Sequence, residues 1–327
     1  MGMKRIGVLT SGSDGPGFNP CLRAVVRMAE DMGLQVTGIR HGFQGLVNGE
    51  MVELDSRAVS GIISKGGTIL GTLPSKEFME RMGQLQALRH LNEADIEGLI
   101  VIGGDGSMRG AHQLQMDGFP VIGVPGTVEN DLLGTDDSIG VDTALNTALD
   151  AIDKIKDTAS SHQRAFLVEV MGRGSGYLAL MAGIAGGAEM VCIPGVPFEL
   201  DDVEETVTQA YVRGKSHCIL VMAEGAECHI GTIAEFLDRR FEEGLSGFKV
   251  EVTILGQIQR GGSPSAYDRV LATRLGAAAV QRLVEGHQGE MMGLRGNDIV
   301  ATPLADVVTG CKPLSPRMLQ LASILAR

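Results

Sequence analysis

Short runs of apolar residues, many of them β-branched and bounded by turn-forming residues, recur along the chain. Runs of this length are typical of buried strands. The pattern predicts strands at residues 5–10, 35–39, 99–102, 120–124, 165–170, 190–193, 218–222 and 250–255. Helical periodicity separates these runs, with predicted helices at residues 20–32, 143–158, 178–185, 203–212 and 266–283.

Strands that alternate with helices predict a doubly wound α/β fold, in which helices cover both faces of mainly parallel sheets. A chain of 327 residues exceeds what one core usually needs, so we expect two three-layer α/β/α lobes. No flexible linker separates them, and such lobes can exchange the chain more than once. The predicted lobes comprise residues 1–140 with 258–309, and residues 141–257 with 310–327.

The composition narrows the classes of partner. A formal net charge of -12 argues against nucleic acid or an anionic membrane surface as the main partner. No apolar segment reaches the length of about 18 residues that a membrane span requires, and we expect a cytoplasmic location. The 5 cysteines are odd in number and form no CxxC pair, which disfavours a disulfide framework or a zinc site.

Glycine is abundant, with 46 residues, and it clusters directly after the predicted strands. The glycine-rich segments are residues 11–17, 103–107, 125–131, 171–176 and 256–264. Ligands of doubly wound sheets bind beyond the carboxyl ends of the strands. We therefore expect these five segments to form one site at one edge.

The first two segments offer backbone N–H groups followed by helix starts, a geometry that binds phosphate. Asp105 lies between glycines, where a carboxylate can meet a Mg²⁺ that bridges phosphates, and Asp131 on the next segment could share that ion. Neither the GxGxxG fingerprint of dinucleotide-binding folds nor a GxxxxGK[ST] P-loop is present. The pattern favours phosphoryl transfer.

Six motifs then indicate a family. They are TSGxDxPGxN, IGGDGS, PGTxxND, SSHQR, VEVMGR and QRGGSP, at residues 10–19, 102–107, 125–131, 160–164, 168–173 and 259–264. In order and spacing the chain resembles bacterial ATP-type 6-phosphofructokinases along essentially its whole length. The resemblance implies a homotetramer with ATP·Mg²⁺ as phosphoryl donor and the 1-hydroxyl of fructose 6-phosphate as acceptor. Gly106 and Gly126 resemble the ATP-using subtype, since the pyrophosphate-using subtype has Asp and Lys there.

The resemblance also implies roles for individual residues, with the lobe of residues 1–140 and 258–309 binding the nucleotide and the other lobe the sugar phosphate. The implied catalytic residues are Thr127, Glu129, Asp131 and Arg173. The implied nucleotide contacts are Gly12, Ser13, Phe43, Gly103, Gly104, Asp105, Gly106 and Ser107, with Asp105 as the metal ligand. The implied sugar-phosphate contacts are Thr127, Glu129, Arg164, Met171, Gly172, Arg173, Glu224, Glu251, Gln257 and Arg260.

A second set of positions resembles the family's effector site for ADP or phosphoenolpyruvate. These residues are Arg23, Arg27, Lys156, Glu189, Lys215 and His217. Arg23 and Arg27 are four residues apart and share one helix face. Ser56 stands where the family has an arginine.

Departures from the family concentrate at the implied active site. Glu129 stands in place of an aspartate, the proposed general base, and Glu251 in place of an arginine that holds the 6-phosphate. Gln257 replaces a histidine, and Pro74 replaces an arginine that reaches the donor phosphates. The charge reversal at Glu251 disfavours a nearby dianion unless Lys249, two residues earlier on the same strand face, restores the charge.

The sequence leaves three hypotheses open. The first is a working ATP-dependent 6-phosphofructokinase, even if a weak one, with Glu129 as the base. The second is a non-catalytic regulatory subunit that assembles with a paralogue. The third is a kinase for another acceptor, in which Glu251 and Gln257 would bind a neutral sugar end.

Overall fold

The computed structural model describes residues 3–326. The strands are β1 (Arg5–Thr10), β2 (Gln35–Ile39), β3 (Met51–Leu54), β4 (Gly98–Gly103), β5 (Val121–Pro125), β6 (Arg164–Val170), β7 (Met190–Cys192), β8 (Cys218–Ala223), β9 (Lys249–Ile254), β10 (Glu290–Arg295) and β11 (Asp298–Pro303). The helices are α1 (Phe18–Asp31), α2 (Gly42–Asn48), α3 (Arg81–Glu93), α4 (Asp105–Met116), α5 (Val141–His162), α6 (Tyr177–Ala185), α7 (Leu200–Val212), α8 (Ile230–Glu242), α9 (Ala266–Val284), α10 (Leu304–Val307) and α11 (Pro316–Leu325).

The chain divides into two compact units. The first unit comprises Met1–Thr143 and Arg260–Lys312, and the second comprises Ala144–Gln259 and Pro313–Arg327. The lobe boundaries expected from the sequence, at 140, 257 and 309, lie within three residues of these divisions. None of the helices in residues 3–326 is long and apolar enough to span a membrane.

The first unit is built on a sheet with the strand order β11-β10-β5-β4-β1-β2-β3. Its strands are parallel except for the outer pairs β2–β3 and β10–β11. On β4, Leu99 and Val101 pack with α2, α3 and α4, whereas Ile100 and Ile102 pack with α1 and α9. Both faces are therefore buried, which explains why these strands appear in the sequence as continuous apolar runs.

The second unit has a parallel sheet with the order β7-β8-β6-β9. One face packs against α7 and α8, with Leu167 and Leu220 contacting the cluster that contains Val203 and Ile233. Helix α6 contacts β6, β7 and β8 without contributing to that cluster. The two units confirm the predicted fold class of two α/β/α lobes with mainly parallel sheets.

All eight predicted strands are present, each within one residue of its expected ends, but three expectations need correction. Strands β3, β10 and β11 were missed, because these outer strands alternate with polar residues or contain glycine. The strand at residues 250–255 was expected to be buried, yet β9 is an edge strand on which Val252 and Ile254 are exposed. The five glycine-rich segments follow strands of two sheets, so the prediction of a single edge is wrong.

One buried carboxylate anchors the start of α5 in the first unit. Asp268, 0% exposed, accepts hydrogen bonds from Gly140 N and Thr143 N, both at 2.8 Å. Burial raises the pKa of Asp268 to about 6 despite these hydrogen bonds. The carboxylate satisfies N–H groups that the first turn of a helix leaves without partners.

Candidate active site

Three loops of the first unit meet at the carboxyl edge of its sheet. They follow β1, β4 and β5, which are adjacent in the strand order. Ser11 N donates to Ile102 O at 3.0 Å and Gly126 N donates to Gly103 O at 2.9 Å, so hydrogen bonds hold the loops side by side. Ligands of doubly wound sheets bind at this kind of edge.

Glycine is required where the first two loops pack together. A Cβ at Gly103 would lie 2.4 Å from Ser107 Oγ and 2.6 Å from Ser11 O, too close for any side chain. Gly12 has a φ of 78°, in the left-handed region that glycine adopts without strain. The edge therefore presents backbone rather than side chains, which allows a phosphate to approach closely.

Helix α4 begins at this edge with Asp105, directly after its N-cap Gly104. The first N–H groups of a helix have no intrahelical partner and, with the helix dipole, attract anions. A Cβ at Gly106 would meet no atom of the described chain within 4 Å, so a ligand can reach the helix start. By contrast, a Cβ at Gly126 would lie 2.6 Å from the ring of Phe18, which leaves no room for a side chain there.

Two carboxylates, Asp105 and Asp131, lie at the same edge. Within residues 3–326, neither Asp105 Oδ1 nor Asp131 Oδ1 has a hydrogen-bond partner, and both atoms are buried. Burial raises the pKa of the Asp131 carboxyl, and the negative charge of Asp105 also raises it. Asp105 Oδ2 accepts a hydrogen bond from Arg109 Nε at 2.9 Å, whereas the two buried Oδ1 atoms are suited to a divalent metal.

The donor set indicates which kind of metal fits. Among the described residues, no three His, Cys, Asp or Glu side chains form a group that could hold a metal ion. Mg²⁺ bound together with phosphates commonly uses one or two protein carboxylates and completes its shell with phosphate oxygens and water. Asp105 and Asp131 could hold such an ion.

The loop after β5 carries the predicted general base, Glu129. Its backbone N–H donates to Thr127 Oγ1 at 3.1 Å. Its carboxylate Oε1 lies 4.0 Å from Arg260 Nη2, and the two side chains are only 19% and 10% exposed. Arg260 Nε and Nη2 are buried and lack hydrogen-bond partners in the described part of the chain. A buried guanidinium with unused donors is suited to an anionic ligand.

Two predicted nucleotide contacts differ in how much surface they offer. Ser13 is exposed in the first loop. Phe43 is only 5% exposed, because it stacks on Phe78 with ring centroids 4.3 Å apart and packs against Gly110. Phe43 therefore presents little surface to a ligand and acts chiefly as part of the core behind the loops.

In the second unit, the ends of β6 and β8 bring several predicted sugar contacts together. Gly172 has a φ of 138°, and a Cβ there would lie 2.2 Å from Ser175 O. The side chains of Arg173 and Glu224 form an ion pair with Nε and Oε1 3.5 Å apart. Gln257, by contrast, is exposed in the short 3₁₀ turn Gly256–Gln259.

Gln259 was not among the site residues predicted from the sequence, yet it holds the backbone at Met171. This side chain is 0% exposed, and its Oε1 accepts a hydrogen bond from Met171 N at 2.8 Å. It thereby fixes the backbone of a predicted sugar contact. Gln259 belongs to the QRGGSP motif, but a motif does not reveal which distant backbone group its side chain binds.

Glu251 contacts a residue that the sequence analysis assigned to the sugar's phosphate. Strands β6 and β9 are parallel neighbours, with Arg164 opposite Lys249 and Phe166 opposite Glu251. The carboxylate of Glu251 forms an ion pair with the guanidinium of Arg164. Because each side chain is more than a third exposed, at 36% for Arg164 and 38% for Glu251, water screens this pair. The pair nevertheless offsets the charge of Arg164.

The predicted effector residues fall on both units. On the first, Arg23 and Arg27 lie on α1, where nearby Glu30 accepts hydrogen bonds from Ser56. On the second, Glu189 and Lys215 form an ion pair at 3.0 Å.

A cavity of about 320 Å³ in the second unit is lined in part by Glu189, Lys215 and Arg213. His217 shares a 2.8 Å hydrogen bond with Ser160, and Lys156 lies 3.8 Å from Asp153. The second unit thus brings a predicted effector carboxylate and a predicted effector amine together beside a cavity.

Comparison with known proteins identifies relatives along the whole chain. The sequence profile of the family described as Phosphofructokinase matches residues 5–283. The chain is 49% identical over 324 residues to an ATP-dependent 6-phosphofructokinase of Shouchella clausii, covering 99% of this chain and 100% of that protein. It is 51% identical over 325 residues to ATP-dependent 6-phosphofructokinase 1 of Thermus thermophilus, with the same coverage.

Solved structures show the same relationship. Phosphofructokinase from Saccharomyces cerevisiae superposes with a TM-score of 0.85 at 37% identity, over 93% of this chain and 45% of the yeast chain, so this chain spans less than half of that protein. Pyrophosphate-dependent phosphofructokinase from Marinobacter aquaeolei shares the fold, with a TM-score of 0.86 at 23% identity over 99% of this chain and 92% of that chain. The profile match and the near-50% identity to full-length bacterial proteins lead to one conclusion: this chain belongs to the phosphofructokinase family.

Proposed function

We propose that this chain transfers the γ-phosphoryl group of ATP to the 1-hydroxyl of fructose 6-phosphate, forming ADP and fructose 1,6-bisphosphate. The observation that carries the proposal is the pair of buried, unpartnered carboxylate oxygens of Asp105 and Asp131 beside the start of α4, within the described chain. The similarity to proteins named ATP-dependent 6-phosphofructokinase favours this hypothesis over a non-catalytic subunit or a kinase for another acceptor.

On the donor side, Gly12, Ser13 and the segment Gly103–Ser107 would contact the nucleotide, with Phe43 supporting them from the core. Asp105 and Asp131 would hold a Mg²⁺, whose charge offsets that of the phosphates. The packing of Gly126 on Phe18 supports ATP rather than pyrophosphate as donor, since that position has no room for the lysine of the pyrophosphate-using subtype, and the open space at Gly106 lets a nucleotide approach the start of α4.

On the acceptor side, Glu129 would take the proton of the 1-hydroxyl as its oxygen attacks the γ-phosphorus and ADP leaves. Thr127 accepts a hydrogen bond from Glu129 N and so helps to orient this loop. Arg173 would stabilise the charge on the transferred group. Arg260, with its unused donors, would bind the 6-phosphate together with Arg164, which the resemblance implies reaches in from a neighbouring subunit. The remaining sugar contacts would be Met171, Gly172, Glu224, Glu251 and Gln257.

Regulation and assembly remain predictions from the family resemblance. The resemblance predicts an effector site for ADP or phosphoenolpyruvate, and Lys215 and Arg213 are the cations beside the cavity of the second unit that could contact such an anion. The other predicted effector residues are Lys156 and His217 on the second unit and Arg23 and Arg27 on the first. The expected assembly is a homotetramer, with a paralogue as a further partner to be sought by co-purification.

The test is an ATP-coupled assay of the purified protein with fructose 6-phosphate, with ³¹P NMR to identify the product. We expect turnover that Glu129→Ala lowers by about 100- to 10,000-fold, because the variant lacks the general base. Glu93→Ala removes a carboxylate from an exposed ion pair on α3 and is the matched control, with activity close to the parent's. Parent turnover no higher than that of Glu129→Ala would refute the proposal.

A further inference from the structure

The proposed base and one proposed metal ligand, Glu129 and Asp131, lie on a segment without regular secondary structure. Residues 126–140, between β5 and α5, form only turns and isolated bridges. Backbone polar groups in such a segment need partners outside a helix or sheet ladder. Catalytic groups must also be held to within a fraction of an ångström of their productive positions. Some other part of the chain must therefore fix this loop.

Asn130, between the two carboxylates, makes the first set of contacts. It is 2% exposed and has a φ of 49°, a left-handed conformation that asparagine tolerates better than most residues. Its Nδ2 donates to Asp136 O at 3.1 Å, and its Oδ1 accepts from Ser138 N at 3.2 Å. Asn130 thus ties the start of the loop to its end.

Lys312 makes the second set of contacts from a distant part of the chain, 177 residues after Thr135. Its Nζ donates to Asp136 O at 2.7 Å and to Thr135 O at 3.1 Å. Its backbone N donates to Asp131 O at 2.7 Å. Both Asn130 and Lys312 therefore donate to the carbonyl of Asp136, which uses its two lone pairs.

The charge of Lys312 matters as well as its hydrogen bonds. The ammonium group interacts electrostatically with the carboxylates of Asp131, Asp136 and Asp137. Like charges on one short loop repel each other and would drive the loop apart. A cation bonded to the loop's own carbonyls offsets that repulsion and links the loop to the last residue of the first unit.

We propose that Lys312 is a positioning residue for phosphoryl transfer, which holds the loop that carries Glu129 and Asp131 in its productive conformation. The expected effect on kcat rests on the proposed function. The contacts of Lys312 with the loop do not depend on that function. Lys312 lies beyond the part of the chain that the family profile matches, residues 5–283.

The kinetic test removes the ammonium group while keeping an unbranched side chain only one atom shorter. Lys312→Met should lower kcat by about 10- to 100-fold, since displacement of a catalytic group by about 1 Å has an effect of that size. The KM for ATP should rise less than kcat falls, because Asp105 and the loops at Gly12 and Gly103, which lie outside this loop, still bind the nucleotide. Lys312→Arg keeps a cation and several donors and should restore most of kcat.

Lys154→Met is the matched control, since it removes an exposed ammonium group from an ion pair with Asp150 on α5. A Lys312→Met kcat within twofold of the parent's, or an equal loss in the control, would overturn the proposal. If Lys312→Met does not fold, Lys312→Gln, whose amide keeps a donor, replaces it and is judged by the same outcomes.

Hydrogen exchange of the peptide covering residues 127–138 gives a readout that needs no activity. We expect its amides to exchange at least about tenfold faster in folded Lys312→Met than in the parent, while β4 keeps its rates. If Lys312→Met exchanges faster but the parent shows no kinase activity, the role of Lys312 in holding the loop is upheld and the proposed function is refuted. Unchanged exchange would defeat the role of Lys312 whatever the activity.

Discussion

Replacing Glu251 with glutamine should improve binding of fructose 6-phosphate. In the structure the carboxylate of Glu251 pairs with Arg164, one of the proposed 6-phosphate ligands. A phosphate dianion on the far side of that guanidinium would lie about 7 Å from Glu251, allowing for the guanidinium and two hydrogen bonds. In a water-like dielectric, the two negative charges of the phosphate and the single negative charge of Glu251 repel each other at that distance by about 1.2 kcal/mol. Removal of the repulsion corresponds to about a sevenfold lower KM.

The bulk-water dielectric suits this estimate, because both side chains are more than a third exposed, at 36% and 38%. The assay measures KM for fructose 6-phosphate at saturating ATP, at low salt and at about 0.5 M salt, where screening should reduce the gain. Glu243→Gln, which removes the same charge from an ion pair with Arg240, controls for the overall change in net charge. A KM that stays the same or rises in Glu251→Gln would show that Glu251 does not repel the 6-phosphate.

Three further variants test other parts of the account. Gly103→Ala should lower the free energy of unfolding by about 1–3 kcal/mol, because its Cβ would overlap Ser107, and chemical denaturation measures this loss. Asp268 has a pKa of about 6 in the folded protein against an ordinary 3.8, so the folded state binds the proton more tightly than the unfolded state does. The contribution of this protonation to the free energy of unfolding is complete below pH 3.8 and is lost as the pH rises through 6. The stability advantage of the parent over Asp268→Asn should therefore shrink by about 1 kcal/mol from pH 5 to pH 7, and an advantage that grows would contradict this. Arg260→Met should raise KM for fructose 6-phosphate at least about tenfold, since the buried guanidinium has unused donors in the described chain; an unchanged KM would remove Arg260 from the phosphate site.

The sequence predicts the residues at the carboxyl edge of the first unit's sheet well, for a physical reason. Each loop there follows an apolar strand directly, and β4 and β5 are neighbours both in the chain and in the sheet. The meeting of Asp105 and Asp131 therefore follows from two local patterns and the rule that parallel strands end at a common edge. The sequence does not show that five such loops divide between two sheets, because the strand–helix alternation is the same in both.

Contacts between distant segments explain what the sequence could not predict. The charge reversal at Glu251 is visible in the sequence, but its pairing with Arg164 depends on β9 lying next to β6. The hydrogen bond from Met171 N to Gln259 and the contacts of Lys312 with the loop after β5 join residues far apart in the chain. No local periodicity or spacing encodes these pairs, since each depends on the packing of the folded unit.

Whether Asp105 and Asp131 hold the metal of a bound nucleotide can be tested by a crystal structure of the protein with Mn²⁺ and a non-hydrolysable ATP analogue, with the metal located by its anomalous signal. We expect a metal peak about 2.0–2.6 Å from Asp105 Oδ1 and close to Asp131, with the phosphates over Gly103 and the start of α4. Nucleotide or metal density away from Asp105 and Asp131 would contradict it.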